Sequence, residues 1–187
     1  MKYKFNNNPG FTLIEALVAI AIFAFAITGL ISITANGVFN TTFVKNKFTA
    51  SYLALEGAEL VRNIRDTASI QGNNWGDITG TLLSDCMNGQ TCYIDADVGD
   101  DAIIVEESCN GDCPYLSFQR NTARFNYRIP DSTDNIVSIF KRTISIVNVP
   151  SGTGVEEIRV VSRVDWQQGS KSHNATYVFD LMNWTEL

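Results

Sequence analysis

The chain has little of what most enzymes require. It contains one histidine, His173, among 187 residues. No G-x-S-x-G, H-E-x-x-H or phosphate-binding glycine loop occurs in it, so the usual carriers of hydrolase and nucleotide chemistry are missing. His173 lies in a Gly/Ser-rich stretch that reads as a turn, where a histidine is ordinarily solvated. The carboxylate pairs Glu106-Glu107 and Glu156-Glu157 are adjacent, and neighbouring strand residues point to opposite faces. Without a convergent set of reactive side chains, the expectation is a protein that is not an enzyme and carries no cofactor. Basic charge is also short: 14 Lys and Arg stand against 20 Asp and Glu, a formal net charge of -6. Such a surface repels phosphate backbones, so nucleic acid is not an expected partner.

Charge is nearly absent from one long stretch. Residues 11–33 are mostly Leu, Ile, Val, Ala and Phe, and Glu15 is their single charge. At 1.5 Å per residue these 23 positions make roughly 34 Å of helix, enough to cross a bilayer core. Lys2 and Lys4 precede the run and favour a cytoplasmic N-terminus. Asn6, Asn7, Asn8 and Pro9 are poor helix formers and make a linker that a protease can grip. A secretory signal is cut after its apolar run, whereas the Pro9-Gly10 break comes before it. A cut after Gly10 would remove the leader and keep the membrane helix. Glu15 needs a cation, because an unpaired carboxylate in a bilayer is costly. The amine that such a cut frees on Phe11 lies one helical turn away, on the same chain or a neighbouring one.

Gly10-Phe11-Thr12-Leu13-Ile14-Glu15-Ala16 resembles the G-F-T-L-I-E signature of type IV prepilins, shared by pilins and type II secretion pseudopilins. The resemblance implies cleavage between Gly10 and Phe11 by prepilin peptidase and N-methylation of Phe11. It implies that Glu15 sets assembly by pairing with the Phe11 amine of an adjacent subunit. It implies a structural subunit of a type IV pilus or pilus-like filament. The implied partners are other pilin or pseudopilin subunits, the peptidase, an inner-membrane assembly platform and, before assembly, lipid. The implied location is the inner membrane as a single-pass precursor, then a surface filament. Residues 53–66 also resemble minor, pilus-modification-type pilins. Where many major pilins have a proline in the membrane helix this chain has Ser32, so any local melting in the filament is expected around residues 28–32. The alternatives are a type II secretion pseudopilin and a calcium- or surface-binding tip pilin.

Beyond the leader (residues 1–10) and the membrane helix (11–33), helical periodicity continues over 34–66. Phe39, Phe43, Val44, Phe48, Tyr52, Leu53, Leu60, Val61 and Ile64 form one apolar stripe. Lys45, Lys47, Glu56, Glu59, Arg62 and Arg65 occupy the other face, read as solvated or as pairs with neighbouring subunits. Residues 67–187 form the expected globular head. Its first part is loop-rich and holds Cys86, Cys92, Cys109 and Cys113. An even count in an exported chain predicts two disulfides stapling 86–113. Local pairing is geometrically simplest, and the nested Cys86–Cys113 with Cys92–Cys109 is the alternative. A zinc site fits less well, since C-x5-C and C-x3-C depart from structural zinc spacing. Asp95, Asp97, Asp101 and Glu106 are candidate calcium ligands, although Asp100 stands where an EF-hand needs glycine. The rival reading is a solvated acidic loop.

Three strand-like runs follow, around 136–149, 158–166 and 177–181, with an edge hairpin from 116–118 and 125–129. The predicted fold is therefore α+β: a long N-terminal helix, transmembrane in its first half, packed on a C-terminal antiparallel sheet. This is also what the pilin resemblance implies. Trp75 reads as packed, with an exposed contact residue as the alternative, while Trp166 and Trp184 are expected in the core.

Overall fold

The computed structural model describes residues 10–95, 105–110, 112–127, 134–150 and 156–183. The chain divides into two compact units, Met1–Val44 and Lys45–Leu187. Helix α1, Leu13–Ile70, contributes to both.

In the first unit α1 is unbroken, including residues 28–32. Its large apolar side chains lie open: Leu13, Ile14, Phe23, Phe25 and Ile33 are all exposed. The hydroxyls of Thr28, Thr34, Thr41 and Thr42 donate to the carbonyls of Phe25, Leu30, Gly37 and Val38 at 2.8–3.0 Å. These polar groups are thus satisfied within the helix, as an apolar medium requires.

In the second unit α1 packs on the sheet through small residues. Ala50, Leu53, Ala54, Gly57, Ala58, Val61, Arg65 and Ala68 are its buried positions. The predicted stripe is therefore corrected. Leu53 and Val61 are buried, but Phe48 and Tyr52 are exposed at 62% and 71%. The physical reason is close approach. A Cβ carbon on Gly57 would sit 2.5 Å from Ser162 Oγ and 2.8 Å from Arg142 Cδ. Residue size, as well as hydropathy, selects the face that meets the sheet.

The helix also ends later than residue 66. Gly72 adopts φ +86°, its N–H donates to Ser69 O, and Asn73 N–H donates to Ala68 O at 3.0 Å. This pair of bonds is a Schellman cap, which needs a left-handed residue at Gly72. Arg65, expected on the solvated face, is instead buried. It pairs with Asp66 and donates to Met182 O at 3.2 Å.

After the cap, Asn74 opens a short helical turn, α2 (Trp75–Asp77). The Asn74 side chain accepts from Asp77 N–H, and the Asp77 side chain accepts from Asn74 N–H. Two further turns, Ile78–Leu82 and Ser84–Cys86, lead into the strands.

Seven strands form one antiparallel sheet among the described residues: β1 Cys92–Asp95, β2 Val105–Ser108, β3 Tyr115–Gln119, β4 Arg124–Asn126, β5 Asn135–Val149, β6 Glu157–Gln168 and β7 Lys171–Met182. Strand β5 organises the sheet. One of its edges pairs with β6 from Lys141 to Val149. Its other edge takes β3 near its start and β1 at Ile144. The β3 register shifts between Tyr115 and Ser117, and Ser138 Oγ accepts from Phe140 N–H at 3.1 Å at that irregularity. The predicted hairpin is present as β3–β4, but β3 lies inside the sheet, between β4 and β5. The β6–β7 turn has only Gly169 and Ser170 between the paired Gln168 and Lys171, and Gly169 takes φ +62°.

The core lies between α1, the turns and the sheet. Val61 and Ala68 meet Ile144, Ile146, Ile158, Val160 and Leu181 there. Trp75 belongs to this core at 6% exposure, so its packed reading holds and the exposed-contact alternative does not. Trp166 is buried as expected, and Trp184 lies outside the described residues. His173 stands in β7 rather than in a turn, stacked on Trp166 with ring centroids 5.5 Å apart.

Candidate functional site

The chemistry-bearing residues of the N-terminal unit meet at the start of α1. Gly10, Phe11 and Thr12 precede the helix and are exposed. Thr12 carries the helix start. Its carbonyl accepts the first helical bond, from Ala16 N–H at 3.2 Å. Its Oγ1 accepts from Glu15 N–H at 3.3 Å, which satisfies one of the donors that every helix N-terminus leaves over. Glu15 is the acidic residue of the first turn, where the partial positive charge of the helix end favours a carboxylate. It shares a shallow groove with Phe11, Ile14, Val18, Ala19 and Ile22. Among the described residues its carboxylate has no hydrogen-bond or ion-pair partner. The groove is otherwise apolar, so Glu15 is the one group on this face able to recognise a cation. Leader residues 1–9, Lys2 and Lys4 among them, lie outside the described residues.

In the head the structure joins Cys86 to Cys92 and Cys109 to Cys113, the local pairing. The first bridge is buried on both sides and part of the core. It ties the last turn to β1. The second closes the loop between β2 and β3, with Cys113 buried and Cys109 half-buried.

The candidate calcium ligands are only partly placed. Asp97, Asp101 and the Glu106 side chain lie outside the described residues. Asp95 is buried, and its carboxylate accepts from Tyr127 N–H at 3.1 Å. No group of three or more His, Cys, Asp or Glu able to hold a metal occurs among the described residues.

One residue that the sequence reading passed over holds the head together. Arg142 is 1% exposed. It donates to Ile94 O at 2.9 Å and Leu53 O at 3.3 Å, and lies 3.5 Å from the Glu56 carboxylate. Its guanidinium also stands over the Tyr127 ring. The group thus bridges α1, β1 and β5. Glu56, read as solvated or intersubunit, has this partner within its own chain. The signal was parity: Arg142 alternates in step with Phe140, Ile144 and Ile146, so it had to face inward with them. Tyr127 OH donates to Arg142 O at 3.2 Å. Burial pushes the Tyr127 phenol above its ordinary value, against the opposing pull of Arg142. On the surface, Arg159 and Asp180 pair across β6 and β7 through two hydrogen bonds, and the guanidinium holds the Asp180 carboxyl below its ordinary range.

α1 is long and apolar enough near its N-terminus to cross a membrane. Comparison with protein families matches residues 5–31 to the prokaryotic N-terminal methylation motif. Comparison with curated proteins and with solved structures gave no match. The matched segment contains Gly10, Phe11, Thr12 and Glu15 and ends within the apolar run. It is the signal that type IV prepilins and pseudopilins carry.

Proposed function

With its N-terminus identified as the methylation motif of type IV prepilins and pseudopilins, we propose that the chain is a minor subunit of a type IV pilus or pilus-like filament. Prepilin peptidase cuts between Gly10 and Phe11, the new Phe11 amine is methylated, and α1 then carries the subunit from the membrane into the filament. The precursor spans the inner membrane once, with its N-terminus in the cytoplasm. Its partners are the peptidase, the assembly platform and other subunits of the same filament.

The observation that carries this reading is Glu15. It is the single charge of residues 11–33, it stands on an otherwise apolar groove, and it has no partner within the described chain. A carboxylate there costs several kcal/mol in lipid unless a cation meets it. The amine freed on Phe11 of a neighbouring subunit is that cation, so pairing rewards correct axial placement and penalises slipped registers. Glu15→Ala should therefore be processed normally but enter filaments at least tenfold less well than the parent, read by immunoblot of sheared filaments. Equal incorporation would refute the pairing role.

A type II secretion pseudopilus uses the same N-terminal logic and remains the second reading. Calcium at Asp95, Asp97, Asp101 and Glu106 belongs to the tip-pilin variant. Titration of the full chain in detergent with millimolar calcium tests it, and absence of heat would remove it.

A further inference from the structure

We infer that Thr12 positions the scissile bond: its hydroxyl caps α1 so that the Gly10–Phe11 peptide is held outside the helix, at a fixed distance from its first turn. The inference rests on the processing reading above and adds a residue to it. Three observations meet. The helix begins at Leu13 although Phe11, two residues earlier, is as apolar as Leu13. Thr12 Oγ1 accepts from Glu15 N–H at 3.3 Å, while its carbonyl accepts from Ala16 N–H at 3.2 Å. Gly10 and Phe11 are both exposed and outside regular structure.

A protease must reach both sides of a peptide and attack its carbonyl, which a helical backbone denies it. Neither Phe11 nor Leu13 is a helix breaker, so their side chains do not stop the helix from growing backward over Phe11. The hydroxyl does so by giving the third-residue N–H its acceptor only when Thr12 stays outside the helix. Without the hydroxyl the first turn frays or extends over Phe11, and the bond no longer sits in one register. Thr12 is thus a positioning residue of the substrate and takes no part in the chemistry itself.

The test uses the full-length chain in membrane vesicles with a prepilin peptidase. Cleavage is followed by gel mobility and the product's N-terminus by mass spectrometry. Thr12→Val keeps the shape and removes the acceptor, and Thr12→Ser keeps the acceptor. Thr12→Ser should be cut within twofold of the parent rate, and Thr12→Val at least fivefold slower, equivalent to about 1 kcal/mol. In Thr12→Val the backbone chemical shifts of Phe11 should also move, while the head's melting temperature should not. If the parent is cut at Gly10–Phe11 but Thr12→Val is cut as fast as Thr12→Ser, the cap inference alone is overturned. If the parent is not cut there, the processing reading fails and takes this inference with it.

Discussion

Gly57 and Arg142 meet where α1 packs tightly on the sheet, and each depends on the other's shape. Arg142 threads under Gly57 to reach Leu53 O and Ile94 O. Gly57→Ala would gain about 1 kcal/mol of helix propensity but must displace Ser162 Oγ and Arg142 Cδ, for a net loss of about 1–3 kcal/mol. Ser162→Ala removes the nearer obstacle, and Ser162 Oγ has no hydrogen-bond partner among the described residues. The double variant should therefore recover part of the loss, a positive coupling in denaturant melts. Additive losses would contradict this packing. Tyr127 supplies a second residue-scale prediction. Its phenol is raised above the ordinary 10.0 by burial, so the folded state holds that proton more tightly. The resulting stability is complete below pH 10 and is lost as pH rises through the folded value. Tyr127→Phe removes one hydrogen bond, at a cost of about 1 kcal/mol near neutral pH. Above pH 10 that deficit should shrink, as measured by denaturant midpoints at both pH values. A deficit independent of pH would contradict the assignment.

At the scale of elements, the long helix and the three C-terminal strands were legible because their periodicities are strong. The face of α1 was not. Hydropathy marks aromatic residues as buried, yet the sheet approaches too closely to admit them, and small residues take the contact. The apolar stripe ends at Ile64, which bounds the periodicity near residue 66, whereas the stop signal is the left-handed Gly72. Arg142 is charged, yet its parity with Phe140, Ile144 and Ile146 already places it inward. Pairing of the cysteines was open in sequence, since spacing constrains loop size but not partners. The structure's local bridges close short loops of similar length, each expected to contribute about 2 kcal/mol through the unfolded chain. They differ in access: Cys86 and Cys92 are fully buried, whereas Cys109 is half-buried. Mild reductant with alkylation and mass spectrometry should therefore label Cys109 and Cys113 first. Cys86 and Cys92 should resist until the head unfolds, and simultaneous labelling would contradict their placement.

For the whole molecule, the proposed function asks one chain to serve two solvents. Residues 11–33 expose apolar side chains that water would not tolerate as a continuous surface, while the head has a buried core, two bridges and an acidic balance suited to water. The N-terminal part of this division was the most legible feature, because a single carboxylate in an apolar run has few physical explanations. Filament membership requires that the leader be removed and the helix retained. The most direct measurement is the intact mass and N-terminal sequence of the protein isolated from cells that carry its own secretion and assembly machinery. The account predicts a chain that begins at Phe11 with a methylated amine and keeps residues 11–33. A chain that retains Met1, or one cut after the apolar run, would contradict it.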